Sequence, residues 1–555
     1  MRDAVGGKNP ELGRFLLLGL LVFAVYSPSL DNGFIYDDTQ VVVIQDAPTS
    51  WADAARVFGE RHFYNLPYYR PLTRLSLLLQ KTLHGNDPLW FHAFNIAALV
   101  AAAMLAYAVL RLPVFGLSRT MAWCAALLFA VHPAASSCVY PVSSGRESLM
   151  PVVWILGLLL AWLSNRTLPA YACFAAALLS KESAVVAPVV ILAADIWLRG
   201  PRTTIRWTRY APFALLLGGY FALRFLLFGG GEYAPGSLTA AVQSFGYALQ
   251  SIIVPYIGLR YEPEWDTWLS WPRLGLALAL TGGLIWAARR HASRPVWFWT
   301  AWFTVLLLPT ANLIRQEAKF DERYVWPASL ALFAVAAVVA SRTRWGTPAA
   351  ASLAVALSLV SVGRDAAFAN DLAFSQQWIR TSPGNVNAHF NSGFALQRAS
   401  RFDEAAQAYR AALRIRPDYA LAHNNLADAL MKAGRPAESG PHLREALRLD
   451  PSLAEAHYNL GLLQVEAGDA EQASLSFAQA VRLKPDSPEA HMNLANTLAV
   501  LGRIDEAIAH YGRALALRPG YPDAQRNLEV ARILRDGAAQ SAPAVSSPVS
   551  PIRKD

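Results

Sequence analysis

The chain has 555 residues, 54% hydrophobic and only 16% charged, whereas soluble domains carry about 25% charged residues. That length exceeds a single compact core, and the composition excludes both an all-soluble enzyme and a disordered protein. The net charge of +9 sits in the apolar part: residues 1–363 hold 28 Lys and Arg against 19 Asp and Glu, while residues 364–555 hold 21 of each.

Apolar runs recur near 15–30, 90–110, 120–135, 148–164, 168–180, 183–198, 210–228, 274–288, 296–312, 325–341 and 346–362. Several are shorter than the ~20 residues of an untilted span. Read as about eleven spans with a cytoplasmic N-terminus, they leave fifteen Lys and Arg on the inner side against Asp3 and Glu11. The positive-inside rule favours this orientation, which places the C-terminal region outside, in a periplasm or lumen. The stretch 241–259, interrupted by Gln243, Gln250 and Pro255, is expected to lie along the outer surface. The first run reads as an uncleaved anchor, because no small-x-small cleavage site precedes Asp31. Surplus cations in short inner loops argue against nucleic-acid binding. The three cysteines, Cys124, Cys138 and Cys173, match neither a disulfide framework nor a metal motif.

Ionisable residues gather on the outer side of this topology. Asp37 and Asp38 directly follow the first span, Arg70 lies in the next outer stretch, Arg146-Glu147 opens the fourth span, Lys181-Glu182 follows the fifth, and Arg323 opens the tenth. Ionisable groups at membrane depth are costly and mark functional sites. Adjacent carboxylates suit a general base with a tuning neighbour, and Arg70, Arg146, Lys181 and Arg323 can hold a phosphate. Taken singly, the same residues also read as local interfacial charges.

From residue 383 a second pattern takes over. Prolines at 383, 417, 451, 485 and 519 are 34 residues apart, the period of the tetratricopeptide helix-turn-helix. Small residues recur at 405, 439, 473 and 507, and large ones at 409, 443, 477 and 511. The expected organisation is a membrane domain 1–363, a linker 364–385, and a solenoid 386–535 with repeats about 386–419, 420–453, 454–487 and 488–521 and a capping helix. A disordered tail 536–555 follows. The fold class is all-α. Asn391, Asn425, Asn459 and Asn493 form one column. They either line a groove that bonds the backbone of an extended acceptor peptide or are simply a common repeat residue. The column His389, His423, His457 and His491 reads as a packing position, since its members are a repeat apart, too far for one ion to bridge.

The elements Phe34-Ile35-Tyr36-Asp37-Asp38, Tyr69-Arg70-Pro71-Leu72, Phe91-His92-Ala93-Phe94-Asn95, Leu128-Phe129-Ala130-Val131-His132-Pro133, Gly145-Arg146-Glu147 and Ser180-Lys181-Glu182 resemble those of GT-C membrane glycosyltransferases. More narrowly, they resemble the transmembrane-and-tetratricopeptide protein O-mannosyltransferases and their bacterial relatives. The resemblance implies a polytopic GT-C-type domain that moves a sugar, with inversion, from a polyprenyl-phosphate donor (undecaprenyl or dolichyl) to Ser or Thr of an extracytoplasmic protein bound by the repeats. It implies Asp37 as base with Asp38 beside it, and Arg70, Arg146 and Lys181 as candidate phosphate contacts. No cofactor is implied beyond the lipid-phosphate sugar as substrate, and a divalent-metal requirement stays open. The chain departs from the family in carrying Glu147 where the Gly-Arg-acid motif has Asp, and in its short array of repeats. Heavy use of Ala and Arg points to a bacterial inner membrane and an undecaprenyl donor, with the repeats periplasmic. Two other readings remain open: a ligase for lipid-linked oligosaccharides, and a non-enzymatic membrane-anchored scaffold for envelope assembly.

Overall fold

The structure, a computed structural model, describes residues 10–35, 38–43, 45, 47–60, 68–199, 204–229, 249–253, 294–310 and 322–541, with isolated positions between 275 and 290. Asp37, Asp321 and most of 241–259 and 274–288 lie outside the described residues. The chain divides into two compact units, Met1–Asn385 and Val386–Asp555. All described secondary structure is helical.

The first unit contains α1 (Pro10–Tyr26), α2 (Trp51–Arg56), α3 (Pro71–His84), α4 (Pro88–Leu110), α5 (Arg119–Val131), α6 (Pro133–Val139), α7 (Ser143–Leu163), α8 (Thr167–Ser180), α9 (Ala187–Trp197), α10 (Ala211–Phe228), α11 (Arg294–Leu307), α12 (Trp326–Ala340), α13 (Gly346–Asp365) and α14 (Asp371–Thr381). Helix α4 packs on α1, α5 and α7, and α5 also packs on α12 and α13. Among the described residues, five segments are long and apolar enough to cross a membrane: Pro10–Asp31, Pro88–Leu110, Ser143–Leu163, Trp207–Phe228 and Gly346–Phe368. Helices α5 and α6, bent by 57°, form a sixth if they are one span.

The described helices therefore supply fewer full spans than the eleven apolar runs predict. Helices α8 and α12 are apolar but short, the run 120–135 is cut by a residue that leaves the helix, and another such residue separates 168–180 from 183–198. His132 adopts φ −60° and ψ 136°, the conformation that a following proline imposes. Its Nδ1 accepts from the Ala134 N–H at 3.1 Å and caps α6. Lys181 is likewise extended between α8 and the turn Glu182–Val186. Residues 364–385, expected as a linker, are largely helical and belong to the first unit, with Phe374 and Trp378 buried.

The second unit pairs α15 (Val386–Arg398) with α16 (Phe402–Ile415), α17 (Ala420–Lys432) with α18 (Pro436–Leu449), α19 (Ala454–Glu466) with α20 (Ala470–Leu483), and α21 (Pro488–Val500) with α22 (Ile504–Leu517). Helix α23 (Pro522–Ser541) closes the stack and runs past residue 535, where the composition suggests a tail. The 34-residue pattern is explained by burial. Ala405, Ser439, Ala473 and Ala507 sit where paired helices touch, and Tyr409, Leu443, Phe477 and Tyr511 fill the core. Gly461 is needed for that fit, since a Cβ there would stand 2.7 Å from the Phe477 ring.

The histidine column locks turns. Nε2 of His423, His457 and His491 faces the carbonyl oxygen of Pro417, Pro451 and Pro485 at 2.9, 3.1 and 3.2 Å. A carbonyl only accepts, so each Nε2 carries a proton, and Nδ1 of the neutral ring is left as an acceptor. In alternate repeats that acceptor meets a second imidazole. Nδ1 of His423 lies 3.1 Å from Nδ1 of His442, and Nδ1 of His491 lies 2.9 Å from Nδ1 of His510. Each pair holds one shared proton, and double protonation sets two N–H groups head to head.

Burial lowers the pKa of His442, His491 and His510. The facing His423 lowers that of His442 further, and His491 that of His510. Arg410 and Arg513 oppose protonation of His442 and His491, while Glu438 and Glu506 favour it in His442 and His510. The unfolded chain therefore binds protons first, and stability is complete above about pH 6.5 and falls as the pH drops below it. Urea unfolding of the repeat unit should lose on the order of 1 kcal/mol per pair between pH 7 and pH 5. A His442→Asn/His510→Asn double variant should flatten that dependence; an unchanged slope would contradict it.

Candidate active site

The loop that follows α1 is held from several sides. The Gly33 N–H donates to the Ala369 carbonyl at 3.0 Å, and Asn32 donates to Asp365 at 2.9 Å. His92 on α4 faces the Gly33 carbonyl at 3.4 Å. Further on, Lys81 of α3 donates to the carbonyls of Val42 and Val43 at 2.9 and 2.8 Å and also to that of Gln45.

At the centre of this loop, Asp38 is buried and its carboxylate is fully engaged. It accepts from the N–H groups of Ile35, Val142 and Ser143 at 3.2, 3.1 and 2.7 Å and from the Ser143 hydroxyl at 2.8 Å. Val142 gives α7 no side-chain cap of its own, so Asp38 caps that helix from a distant loop, where its charge suits the helix N-terminus. Burial pushes the Asp38 pKa up, and the four donors pull it back. A carboxylate so occupied is a fastening rather than a base. Asp37 lies outside the described residues, beside this fastened neighbour in the chain.

The first turns of α7 continue the construction. Gly145 lets α7 approach the Cys138 carbonyl, which any Cβ at this position would overlap. Asn95 of α4 donates to the carbonyls of Pro141 and Val142, each at 3.1 Å. Arg146 is wholly buried and binds Asn95 Oδ1 at 3.3 Å, Gln80 Oε1 at 2.6 Å and the Phe91 carbonyl at 3.3 Å, with its guanidinium 4.1 Å above the Phe94 ring. The sequence suggests Arg146 as a phosphate contact; the structure spends it on clamping α7 to α3 and α4.

One residue on, Glu147 turns the other way and pairs with Arg70. Arg70 also binds Glu182 through Nε at 2.8 Å, and Glu182 accepts the Tyr69 N–H at 2.9 Å. The guanidinium stacks 4.3 Å from the Tyr68 ring. Its burial disfavours the charge, but Glu147 and Glu182 hold its pKa above the ordinary arginine value. Arg70 thus joins α3, α7 and the turn after α8.

Lys181 lies beside this group, 3.5 Å from Ser148 Oγ and 4.8 Å above the Tyr324 ring, which Arg323 also covers at 5.4 Å. Arg323 is 8% exposed. Burial, then Arg70, lower the Lys181 pKa to about 8, with Glu147 acting in the opposite sense. Among the described side chains, three cations, Arg70, Lys181 and Arg323, therefore gather with two carboxylates, Glu147 and Glu182, an excess of one positive charge. Among the described residues, no group of three or more His, Cys, Asp or Glu is gathered that could hold a metal ion.

The asparagine column of the repeats is partly internal. Asn459 is buried and donates to Asn424 at 2.9 Å, Asn493 donates to the Tyr458 hydroxyl at 2.8 Å, and Asn425 accepts from Asn424 at 3.1 Å. Asn391 and Asn425 are half-buried. Sequence reasoning misses Asp38 as a cap, Lys81 as a carbonyl clasp and Asn424 as the link between repeats; no local pattern marks a cap donated from more than a hundred residues away.

Removing the centre of the charged cluster leaves Glu147 and Glu182 without the cation that pairs with both of them. Arg70→Ala is expected to destabilise the first unit by about 3–5 kcal/mol, and Glu147→Gln by less, because Glu182 still neutralises Arg70. Thermal unfolding followed by tryptophan fluorescence checks this order; equal losses would contradict it.

Comparison with known proteins adds the following. The tetratricopeptide-repeat family matches residues 390–454 and 458–522. The chain is 33% identical over 156 residues to protein O-mannosyl-transferase Tmtc1 of Drosophila melanogaster, covering 26% of this chain and 17% of that protein. It is 30% identical over 142 residues to protein O-mannosyl-transferase TMTC1 of Mus musculus, covering 24% and 15%. Among solved structures, a thermophilic tetratricopeptide protein of Thermus thermophilus is 23% identical, with a TM-score of 0.26, over 32% of this chain and 96% of that one. The chain spans only 15% to 24% of the length of the first three O-mannosyl-transferases it matches. Its described elements are all helical, its C-terminal unit matches the tetratricopeptide-repeat family, its first unit holds membrane-capable helices, and the chain resembles the TMTC protein O-mannosyl-transferases.

Proposed function

We propose that the protein is an integral membrane glycosyltransferase of GT-C type. It takes a sugar, mannose by likeness to its relatives, from a polyprenyl-phosphate donor and places it on a Ser or Thr hydroxyl of an extracytoplasmic protein. The observation that carries this reading is the buried cluster of three cations and two carboxylates at the start of α7, next to the loop fastened by Asp38. Among the described side chains it carries more cations than carboxylates and stands at the end of apolar helices, suited to an anionic headgroup whose tail lies in lipid. The likeness to named O-mannosyl-transferases supports the same chemistry.

In this reaction Asp37 takes the proton of the acceptor hydroxyl. The oxygen attacks the anomeric carbon from the face opposite the phosphate, the bond from that carbon to the phosphate oxygen breaks, and the configuration inverts. Lys181 and Arg323 receive the charge that grows on the leaving phosphate. Arg70, engaged by Glu147 and Glu182, and Arg146, clamped between helices, shape the site around them. The repeats engage the acceptor through the face that carries the half-buried Asn391, Asn425 and Asn493. The protein resides in a bacterial inner membrane, with its N-terminus cytoplasmic and its repeats periplasmic.

Transfer from a polyprenyl-phosphate sugar to a Ser/Thr peptide tests the assignment. Asp37→Asn should lower turnover by about 10²–10⁴-fold without changing the melting temperature. Unaltered turnover would clear Asp37 of the base role, and absence of transfer by the wild type would remove the enzyme reading and leave a tethered docking solenoid. Lys181 is charged below about pH 8 and neutral above it, so the donor KM should rise as the pH passes 8. In Lys181→Arg, which stays charged throughout, that rise should vanish; its persistence would clear Lys181 of the phosphate role.

A further inference from the structure

The opposite end of α1 carries a second charged cluster, which the transferase reading does not use. Glu11 is a single carboxylate shared by three arginines. Oε1 meets Arg14 and Arg119 at 3.1 and 3.2 Å, and Oε2 meets Arg111 at 3.0 Å together with the Tyr107 hydroxyl at 3.0 Å. These arginines stand at the start of α1, the end of α4 and the start of α5, three apolar helices that end together. Trp123 of α5 ties the same corner by donating to the Arg14 carbonyl at 3.0 Å.

One negative charge against three positive ones leaves an excess of two among these described side chains. Guanidinium groups offer five donors each in a planar fork that matches phosphate oxygens. Their side chains are open to the outside, Arg14 at 36%, Arg111 at 40% and Arg119 at 65% relative exposure, while Glu11 is more sheltered at 17%. The cluster therefore presents cations outward and keeps its anion behind them.

An independent feature says what approaches. Below this cluster, on the face of α1 that carries Arg14, lie two exposed leucines, Leu17 and Leu21, at 48% and 37% exposure. Spacings of three and seven residues put both on the same face of the helix as Arg14. A phosphodiester at the arginines with an acyl chain along the leucines satisfies both features at once.

We propose that the corner formed by Arg14, Arg111 and Arg119 binds the phosphodiester headgroup of an anionic phospholipid, whose acyl chain lies on Leu17 and Leu21 of α1. The bound lipid fixes the depth of α1, the helix whose other end leads into the loop of Asp37 and Asp38. The inference stands apart from the transferase reading and does not need it.

Native mass spectrometry of the full chain, released from micelles holding equal amounts of phosphatidylglycerol and phosphatidylcholine, tests it. The wild type should retain phosphatidylglycerol in excess. Arg119→Gln, at the most exposed arginine, should lower that preference roughly fivefold, and Arg111→Gln/Arg119→Gln roughly 25-fold, from about 1 kcal/mol per arginine near an anionic surface. Glu11→Gln, which removes the competing anion, should raise it. A preference equal in all variants would overturn the proposal. Displacement of the lipid by millimolar glycerol 3-phosphate would overturn it too, by assigning the corner to a soluble phosphate.

Discussion

The start of α7 is organised around a buried cation. Arg70 precedes α3, yet its guanidinium is divided between Glu147 on α7 and Glu182 after α8. Burying an ion away from water is prohibitive unless its partners are close and well aimed. Three chain segments must therefore meet for any of the three charges to be tolerated. That requirement fixes where α7 begins, and the start of α7 is where Asp38 is fastened. The acid loop, the cation cluster and the helix ends are one construction.

Neighbouring residues in the motifs have opposite tasks within it. Arg146 and Glu147 are adjacent on a helix and so point about 100° apart. The first reaches Gln80 and Asn95, the second reaches Arg70. Asp38 likewise serves as a cap beside the proposed base. A motif read as a string of charges conceals this division, because sequence order does not say which face each side chain takes once the helix is placed.

How much of the molecule is legible in its sequence follows from the range of the interactions. The repeat unit is built from near-neighbour contacts, so its 34-residue period alone marks Ala405, Tyr409 and their counterparts as core. In the membrane unit the apolar runs locate the helices closely, for example 90–110 against Pro88–Leu110. The bend at His132 is written in the proline that follows, but whether α5 and α6 make one span is decided by tertiary packing. The roles of Arg70, Glu182 and Asn424 depend on partners far away in the chain or across helices. For the same reason the asparagine column reads as an open groove from its spacing, although Asn459 is tied to Asn424 of the preceding repeat.

In the proposed function a lipid-borne phosphate sits beside Lys181 and Arg323 while Arg70 stays on its two glutamates. A cryo-electron microscopy structure of the full chain with a polyprenyl-phosphate bound measures this most directly. The proposed transferase requires phosphate oxygens within hydrogen-bond distance of Lys181, with the Asp37 carboxylate turned toward the same cleft. A headgroup bound elsewhere, with Asp37 facing open water, would contradict it.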